Sequence, residues 1–353
     1  MSLEIADQTP LAPLTTLELG GPARHLCTVA DEASALEALR WAAARNLPVF
    51  VLGGGSNVVV ADAGFPGLVI RIGLRGVGFE GTGDRVHARV AAGEPWDGVV
   101  AEAVQRGLAG LECLSGIPGL AGATPIQNVG AYGQDVAETI VSVRAVDRRT
   151  LDVVEVPAAA CGFGYRDSAF KHEPDRWLVL GVIFALRADG VPRVRYPELA
   201  NALAAHSGTP TLAGVRDTVI ALRRAKSMVI DPADPNRRSV GSFFMNPVVT
   251  AAEADRLVAQ LLADGIVADA AAVPRFPAGA GEVKLSAAWL IERAGLAKGL
   301  RAGAVGISSR HTLALVHHGG GKTNDLLALA DHVRDTVERR FGVRLQREPV
   351  LIP

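Results

Sequence analysis

Cysteine is scarce in this chain of 353 residues: only Cys27, Cys113 and Cys161 occur, odd in number and far apart. They lack the paired spacing of zinc ligands, so a reduced, metal-free protein is expected. There is no surplus of either charge, with 36 Lys and Arg against 37 Asp and Glu and a net charge of -1. Without a basic face or polybasic run, a nucleic-acid or membrane partner is not expected. Although 49% of the residues are hydrophobic, no run approaches the roughly 20 uninterrupted apolar residues of a membrane helix. The opening "MSLEIADQTP" carries acidic residues where a signal peptide has basic ones, which points to the cytoplasm. Internal repeats and low-complexity tracts are missing too, and a small-molecule partner is what these absences leave.

Length alone implies about two or three domains. Residues 24–60 read as strand, helix, strand: "RHLCTVA", then Asp31 as N-cap of a helix with Leu36, Leu39 and Ala43 at helical spacing, then "PVFVL". Short β-rich runs follow, "RVHARVAAG", "IVSVRAVDRR" and "WLVLGVIFALR", and a proline-rich, charged boundary stands at "DPADPNRRS". The expected division is 1–74, 75–230, a third domain at 231–340 with helices near 251–264, 286–295 and 323–340, and a closing strand within 341–353.

Inside "PVFVLGGGSNVVV" the first apolar run stops at Gly53, Gly54 and Gly55 and turns through Ser56 and Asn57. A turn at the carboxyl end of a strand is where α/β sheets bind ligands, and its amides can form an anion-binding concavity. An ordinary tight connection is the alternative. The run after Gly55 leads into "VVV" and not into a helix, so this is not the nicotinamide fingerprint, and a different diphosphate cofactor is implied. A second glycine-rich segment, residues 114–136, has few charges and reads as an ordered loop packed against a ligand, not as a solvated linker. "HHGGGKTND" imitates the end of a phosphate-binding P-loop, but the required earlier glycine falls at Val316, so a hairpin or a turn at a helix start is the expected role.

Three further stretches carry chemistry. In "CGFGYRDSAFK", Arg166 has the planar fork to hold a carboxylate, or else a surface ion pair with Asp167. In "SVGSFFMNP", Ser242 is outside a G-x-S-x-G elbow, so it reads as a proton donor and not a hydrolase nucleophile. Glu348 stands between Arg347 and Pro349 in an otherwise apolar finish, where the alternative is a carboxylate that simply points to solvent.

Taken together and in order, "LGGGSNVVVAD", "SGIPGLAGATPIQNVGAYGQDV", "CGFGYRDSAFK", "GSFFMNP" and Glu348 closely resemble the UDP-N-acetylenolpyruvoylglucosamine reductase family of bacterial peptidoglycan precursor synthesis. The resemblance implies an α+β protein of three domains. The first two would hold FAD in the manner of the vanillyl-alcohol oxidase superfamily, and the third would bind substrate. It also implies NADPH as hydride donor and UDP-N-acetylglucosamine enolpyruvate as substrate. Gly53, Gly54, Gly55, Ser56 and Asn57 would wrap the FAD pyrophosphate, while Ser115, Gly116, Ile117, Gly122, Ala123, Thr124, Asn128 and Gly130 would line the rest of the cofactor.

By the same resemblance Arg166, Ser242 and Glu348 would be catalytic. The chain is similar to the longer of the family's two forms, marked by a substrate-covering loop with a tyrosine, here Tyr196; Lys226, Asn246 and His311 would also contact the UDP-sugar. Met245 stands where the family more often has a basic residue, and Pro197 where it more often has glycine. A cytoplasmic monomer without a metal is expected. The rival readings are another FAD-linked oxidase or dehydrogenase of the same superfamily, acting on a small hydroxy acid, and a non-catalytic nucleotide-binding module.

Overall fold

The computed structural model describes residues 3–81, 83–205 and 208–353; Met1 and Ser2, at the head of the acidic opening, lie outside them. The chain forms two compact units. The first is built from Met1–Pro10, Pro22–Gly55 and Phe65–Ile230, and the second from Leu11–Gly21, Ser56–Gly64 and Asp231–Pro353. The second unit therefore takes two short segments from within residues 1–74.

Besides a two-stranded ribbon at Gly130–Ala131 and Gln134–Asp135, the described residues of the first unit form two larger sheets. One is four-stranded, in the order Ile5–Pro10, Pro22–Val29, Phe65–Ile72, Val49–Leu52. Phe65–Ile72 is parallel to both of its neighbours, and Leu68, Val69 and Ile70 are all buried, as a strand covered on both faces requires. Parallel strands need a crossover, and the helix Glu32–Ala43 provides it between Pro22–Val29 and Val49–Leu52. Asp31 caps that helix as its sequence implies, accepting a hydrogen bond from the Ser34 amide at 2.7 Å. The buried face differs from the expected one: Ala35, Ala38, Leu39 and Ala42 are buried, whereas Ala43 is exposed and Leu36 only partly covered. Three small alanines let the helix axis approach the sheet closely, and the longer Leu36 is left at the margin.

The other sheet has five antiparallel strands in the order Asp152–Pro157, Ile140–Asp147, Trp177–Arg187, Arg85–Ala91, Val77–Glu80. All three β-rich runs read from the sequence lie in it. A satellite core of Cys113, Leu199, Leu203, Val215 and Val219 joins the helices Pro197–Ala204 and Leu212–Ala225 to the turn Glu112–Leu114. Burial raises the Cys27 and Cys161 thiols to about 11, and burial followed by the nearby Glu112 charge raises Cys113 to about 12, so all three thiols remain protonated at neutral pH.

In the second unit the helix Thr323–Phe341 buries Leu326, Leu329, Ala330, Val333, Val337 and Phe341. It stops at Gly342, whose φ of 67° is the left-handed conformation that glycine adopts without strain. One three-stranded antiparallel sheet, Arg301–Ala302, Val305–Ile307 and Leu315–His317, packs against it, a second, Val248–Thr250, Glu282–Leu285 and Arg275–Pro277, packs against the helix Ala251–Ala263, and Val350–Ile352 runs parallel to Val58–Val60. This last strand is shorter than the sequence implies. Glu348 precedes it, in a segment that forms only an isolated bridge between Arg347 and Phe244, because Pro349 has no amide to extend the ladder. No helix among the described residues is long and apolar enough to cross a membrane.

Candidate functional site

The three consecutive glycines have three separate physical reasons. A Cβ on Gly54 would lie 2.8 Å from the Gly119 Cα, so Gly54 is required by the second glycine-rich segment packing against it. Gly55 has φ +65°. Gly53 meets neither constraint: its φ is ordinary, and a Cβ there would find only Ala123 and Leu120, each at 4.0 Å. Among the described residues the Gly53 and Gly54 amides have no hydrogen-bond acceptor. Space beside Gly53 and two uncommitted donors at a strand end fit a pyrophosphate. Ser56 and Asn57 belong to the second unit.

Several residues expected to line the cofactor also brace the segment that carries them. The Ser115 hydroxyl donates to the Glu112 carbonyl and that of Thr124 to the Ala121 carbonyl, each at 2.7 Å, so neither proton is available to a ligand. Gly122 is glycine because a Cβ would come 2.5 Å from that of Ala92, and at Gly130 it would strike the Asp135 carboxylate. Gly116, Ile117 and Ala123 remain partly or fully exposed. The Gly116 amide donates to Asp97 at 2.6 Å, and Arg216 grips the same carboxylate through two hydrogen bonds of 2.6 and 2.8 Å. Burial acts to raise the Asp97 pKa, but the hydrogen bonds from Arg216 and Gly116 outweigh it and hold the carboxyl below its usual range.

Arg166 has a φ of 53°, and Asn128 one of 41°, conformations that bulky side chains keep only when their surroundings enforce them. Here the Lys171 ammonium donates to the Arg166 carbonyl at 2.7 Å, and the Asn128 side chain bonds the Gly164 carbonyl at 2.8 Å. The guanidinium donates to the carbonyls of Asn128 and Gly130 and lies 3.9 Å from Asp135. The surface pair with Asp167 is not formed; His172 occupies Asp167 at 2.8 Å. The local sequence thus places Arg166 against both ends of the stretch 128–130.

Tyr196 closes the irregular stretch 191–196 as the N-cap of the helix Pro197–Ala204, with Pro197 at the first helical position, where its missing amide is no loss. Its ring meets that of Tyr132 edge-on at 5.7 Å. Burial raises both phenols, Tyr132 to about 12. Lys226 pairs with Glu198 at 2.7 Å and lies 5.8 Å above the Tyr132 ring. Sequence reading missed Tyr132, Asp97, Arg216 and Arg223; the two arginines, seven apart on one helix, were the available signal.

In the second unit, Asn57, Ser242, Asn246 and Glu348 are drawn together by backbone pairing. The Glu348 amide donates to the Phe243 carbonyl at 3.0 Å and the Met245 amide to Gln346 at 2.9 Å, while the Asn57 side chain reaches the Glu348 carbonyl at 3.5 Å. Among the described residues the Ser242 hydroxyl has no partner. The Asn246 side-chain oxygen accepts from the Ala287 amide at 2.9 Å, which leaves its NH2 for a ligand. His311 begins the turn whose Leu313 carbonyl accepts from Phe243 at 2.7 Å.

The "GGGKT" segment starts the helix Thr323–Phe341, but Asp62 already occupies its N-terminus. That carboxylate accepts from the Thr323 amide at 2.8 Å and the Asn324 amide at 3.1 Å. A phosphate would meet like charge there, so of the two expected roles, hairpin or helix start, the segment takes the second.

Comparison with known proteins places this geometry in a family. Residues 232–352 match the family model described as UDP-N-acetylenolpyruvoylglucosamine reductase, C-terminal domain, and residues 23–155 match an FAD binding domain. The UDP-N-acetylenolpyruvoylglucosamine reductase of Thermobifida fusca is 50% identical over 100% of this chain and 99% of its own length. That of Streptomyces avermitilis is 49% identical over 97% and 93%. The crystal structure of the Thermus caldophilus enzyme superposes with a TM-score of 0.67 at 26% identity, covering 100% of both chains. With half of its residues shared across its whole length, the chain belongs to the UDP-N-acetylenolpyruvoylglucosamine reductase family.

Proposed function

We propose that Arg166, Ser242 and Glu348 carry the reduction of UDP-N-acetylglucosamine enolpyruvate to UDP-N-acetylmuramate, the FAD-linked, NADPH-dependent reaction of this family in peptidoglycan precursor synthesis. Bound FAD supplies the chemistry of hydride relay, from NADPH to the terminal CH2 carbon of the enolpyruvyl group. Negative charge then develops on the neighbouring carbon and its carboxylate. Stabilising that charge is an electrostatic task. Arg166 suits it because a guanidinium matches a carboxylate with two parallel hydrogen bonds. The braced left-handed conformation of Arg166 is the observation that carries this role. Glu348 shares the task either as the neutral acid or held beside the developing charge by Arg166 and other donors.

Ser242 donates the final proton to carbon. An alcohol is a weak acid, but a carbon anion is a strong base, and the Ser242 hydroxyl is not committed to another group. Tyr196, Lys226, Asn246 and His311 hold the UDP-sugar. Gly53, Gly54 and Gly55, with Ser56 and Asn57, serve the pyrophosphate. The functional division follows the sequence: 1–74 and 75–230 for the cofactor, the latter also carrying the Tyr196 substrate loop, 231–340 for the substrate, and 341–353 to carry Glu348. The protein acts as a monomer in the cytoplasm.

The test is to follow the flavin absorbance band anaerobically on adding NADPH and then the enolpyruvyl sugar nucleotide. Bleaching followed by recovery is expected; recovery only with oxygen or a small hydroxy-acid couple would favour an oxidase. With Ser242→Ala, bleaching by NADPH should persist while recovery collapses. Equal loss of both half-reactions would make Ser242 structural.

A further inference from the structure

Residues 343–346 alternate strictly: Val343 and Leu345 are buried in the core of the second unit, whereas Arg344 and Gln346 are exposed. In extended chain that period puts Arg347 next on the inward face and Glu348 on the other. An arginine at the end of an apolar alternation needs a partner. Its Nη2 donates to the Asp331 carboxylate of the helix Thr323–Phe341 at 2.6 Å, and only 22% of its side chain is exposed. Its Nε is buried with no acceptor among the described residues. Asp331 does not depend on this bond, because Arg334 holds the same oxygen at 2.7 Å. A buried donor left unmade costs stability, and an apolar side chain of similar volume would fill the place without that cost. Stability alone therefore does not account for Arg347.

The backbone pairing beside it does. The stretch 242–246 meets 346–348 through the isolated bridge between Phe244 and Arg347 and two hydrogen bonds, from the Met245 amide to Gln346 at 2.9 Å and from the Glu348 amide to Phe243 at 3.0 Å. Pro349 cannot extend the ladder, so so short a pairing has little backbone bonding to fix its register. A slip of one residue exchanges the two faces of a strand. Advanced by one, the chain would turn Arg347 away from the core and bring the Glu348 carboxylate to Asp331, like charge against like.

Resting on the reading of Ser242 and Glu348 as catalytic, we propose that Arg347 is a positioning residue: its bond to Asp331 fixes the register of this pairing, and so the alignment of Glu348 with the Ser242 segment. Asp331 attracts one neighbour in the chain and repels the other, which selects a single alignment.

The experiment uses full-length, FAD-loaded Arg347→Leu, Arg347→Lys and Asp331→Asn. It reads the rate of flavin bleaching by NADPH, the rate of recovery on adding the enolpyruvyl sugar nucleotide, and the melting temperature. Arg347→Leu should melt no lower than the parent and bleach within about twofold of its rate, yet recover about tenfold more slowly, as misplaced reacting groups do. Arg347→Lys keeps a cation for Asp331 and should restore recovery to within about threefold, while Asp331→Asn should slow it about threefold. Normal recovery in Arg347→Leu would overturn the inference, and so would a melting temperature and both half-reactions that fall together, since those are the marks of a brace. Should Arg347→Leu not fold, Asp331→Asn against Arg347→Lys decides the matter. Ser242→Ala and Glu348→Gln run alongside separate the two readings. If neither slows recovery, the catalytic assignment itself fails; if both do while the Arg347 and Asp331 variants recover normally, only the role of Arg347 falls.

Discussion

Gly53→Ala and Gly54→Ala differ by one position and should have opposite effects. At Gly53 the new methyl meets nothing closer than 4.0 Å and the backbone conformation is one any residue adopts. The fold should accept it, with a gain of about 0.4–1 kcal/mol from the smaller freedom of the unfolded chain. The methyl instead fills the space assigned to the pyrophosphate. Displacing that group from the Gly53 and Gly54 amides costs about 1.5–3 kcal/mol, a loss of about 10- to 100-fold in FAD affinity. At Gly54 the methyl would stand 2.8 Å from a backbone atom of Gly119, which cannot swing aside. Overpacking of this kind costs about 1–3 kcal/mol, a drop of roughly 2–4 °C in melting temperature for each kcal/mol. The assay pairs a thermal melt of FAD-free protein with an FAD titration. A Gly53→Ala protein that melts normally and binds FAD like the parent would refute the placement of the pyrophosphate.

Arg166→Lys should retain FAD and NADPH oxidation yet lose about 100-fold or more in overall turnover, because a point charge cannot reproduce the fork; near-normal steady-state kinetics would remove Arg166 from the chemistry. Asp62→Ala leaves two helix-terminal amides without their carboxylate and should cost about 0.5–2 kcal/mol in a denaturant titration; an unchanged midpoint would show that solvent replaces the cap. Asp97 has a folded-state pKa below its unfolded value, so its contribution is present above the unfolded pKa and lost as pH falls through the folded one. The stability gap between parent and Asp97→Asn should therefore be constant at neutral pH and close under strongly acidic conditions; a gap that widens on acidification would reverse the sign assigned here.

Periodicity and capping made the local elements legible. Asp31 before the alternating apolar residues of 32–43, and the β-rich runs at 85–91, 140–147 and 177–187, follow from side-chain chemistry acting over a few residues. Two features were not legible in the same way. Which glycines serve the fold and which leave room for a ligand depends on partners about 65 residues away: Gly119 explains Gly54, and nothing explains Gly53. The Asp97–Arg216 clamp spans 119 residues, and no local pattern announces it. Arg166, Ser242 and Glu348 stood out because motifs in register singled them out, and the bonding around them has a local cause only at Arg166, where Lys171 is five residues away.

The second unit draws on Leu11–Gly21 and Ser56–Gly64 as well as Asp231–Pro353. Its core counts Leu17, Leu19 and Val59 among its members, its long helix is capped by Asp62, and its last strand lies beside Val58–Val60. During synthesis these early segments leave the ribosome long before anything they pair with, and Asn57 waits 291 residues for Glu348. The second unit therefore cannot close domain by domain behind the ribosome; its completion is held until Val350–Ile352 has been made. An excised 231–353 fragment would carry an open strand edge and a long helix without its Asp62 carboxylate, and so would be prone to pair with copies of itself. The same threading that delays folding guards against fragments: a chain truncated anywhere before Val350 lacks the strand that closes Val58–Val60, so an incomplete product has no finished second unit in which to present Ser242.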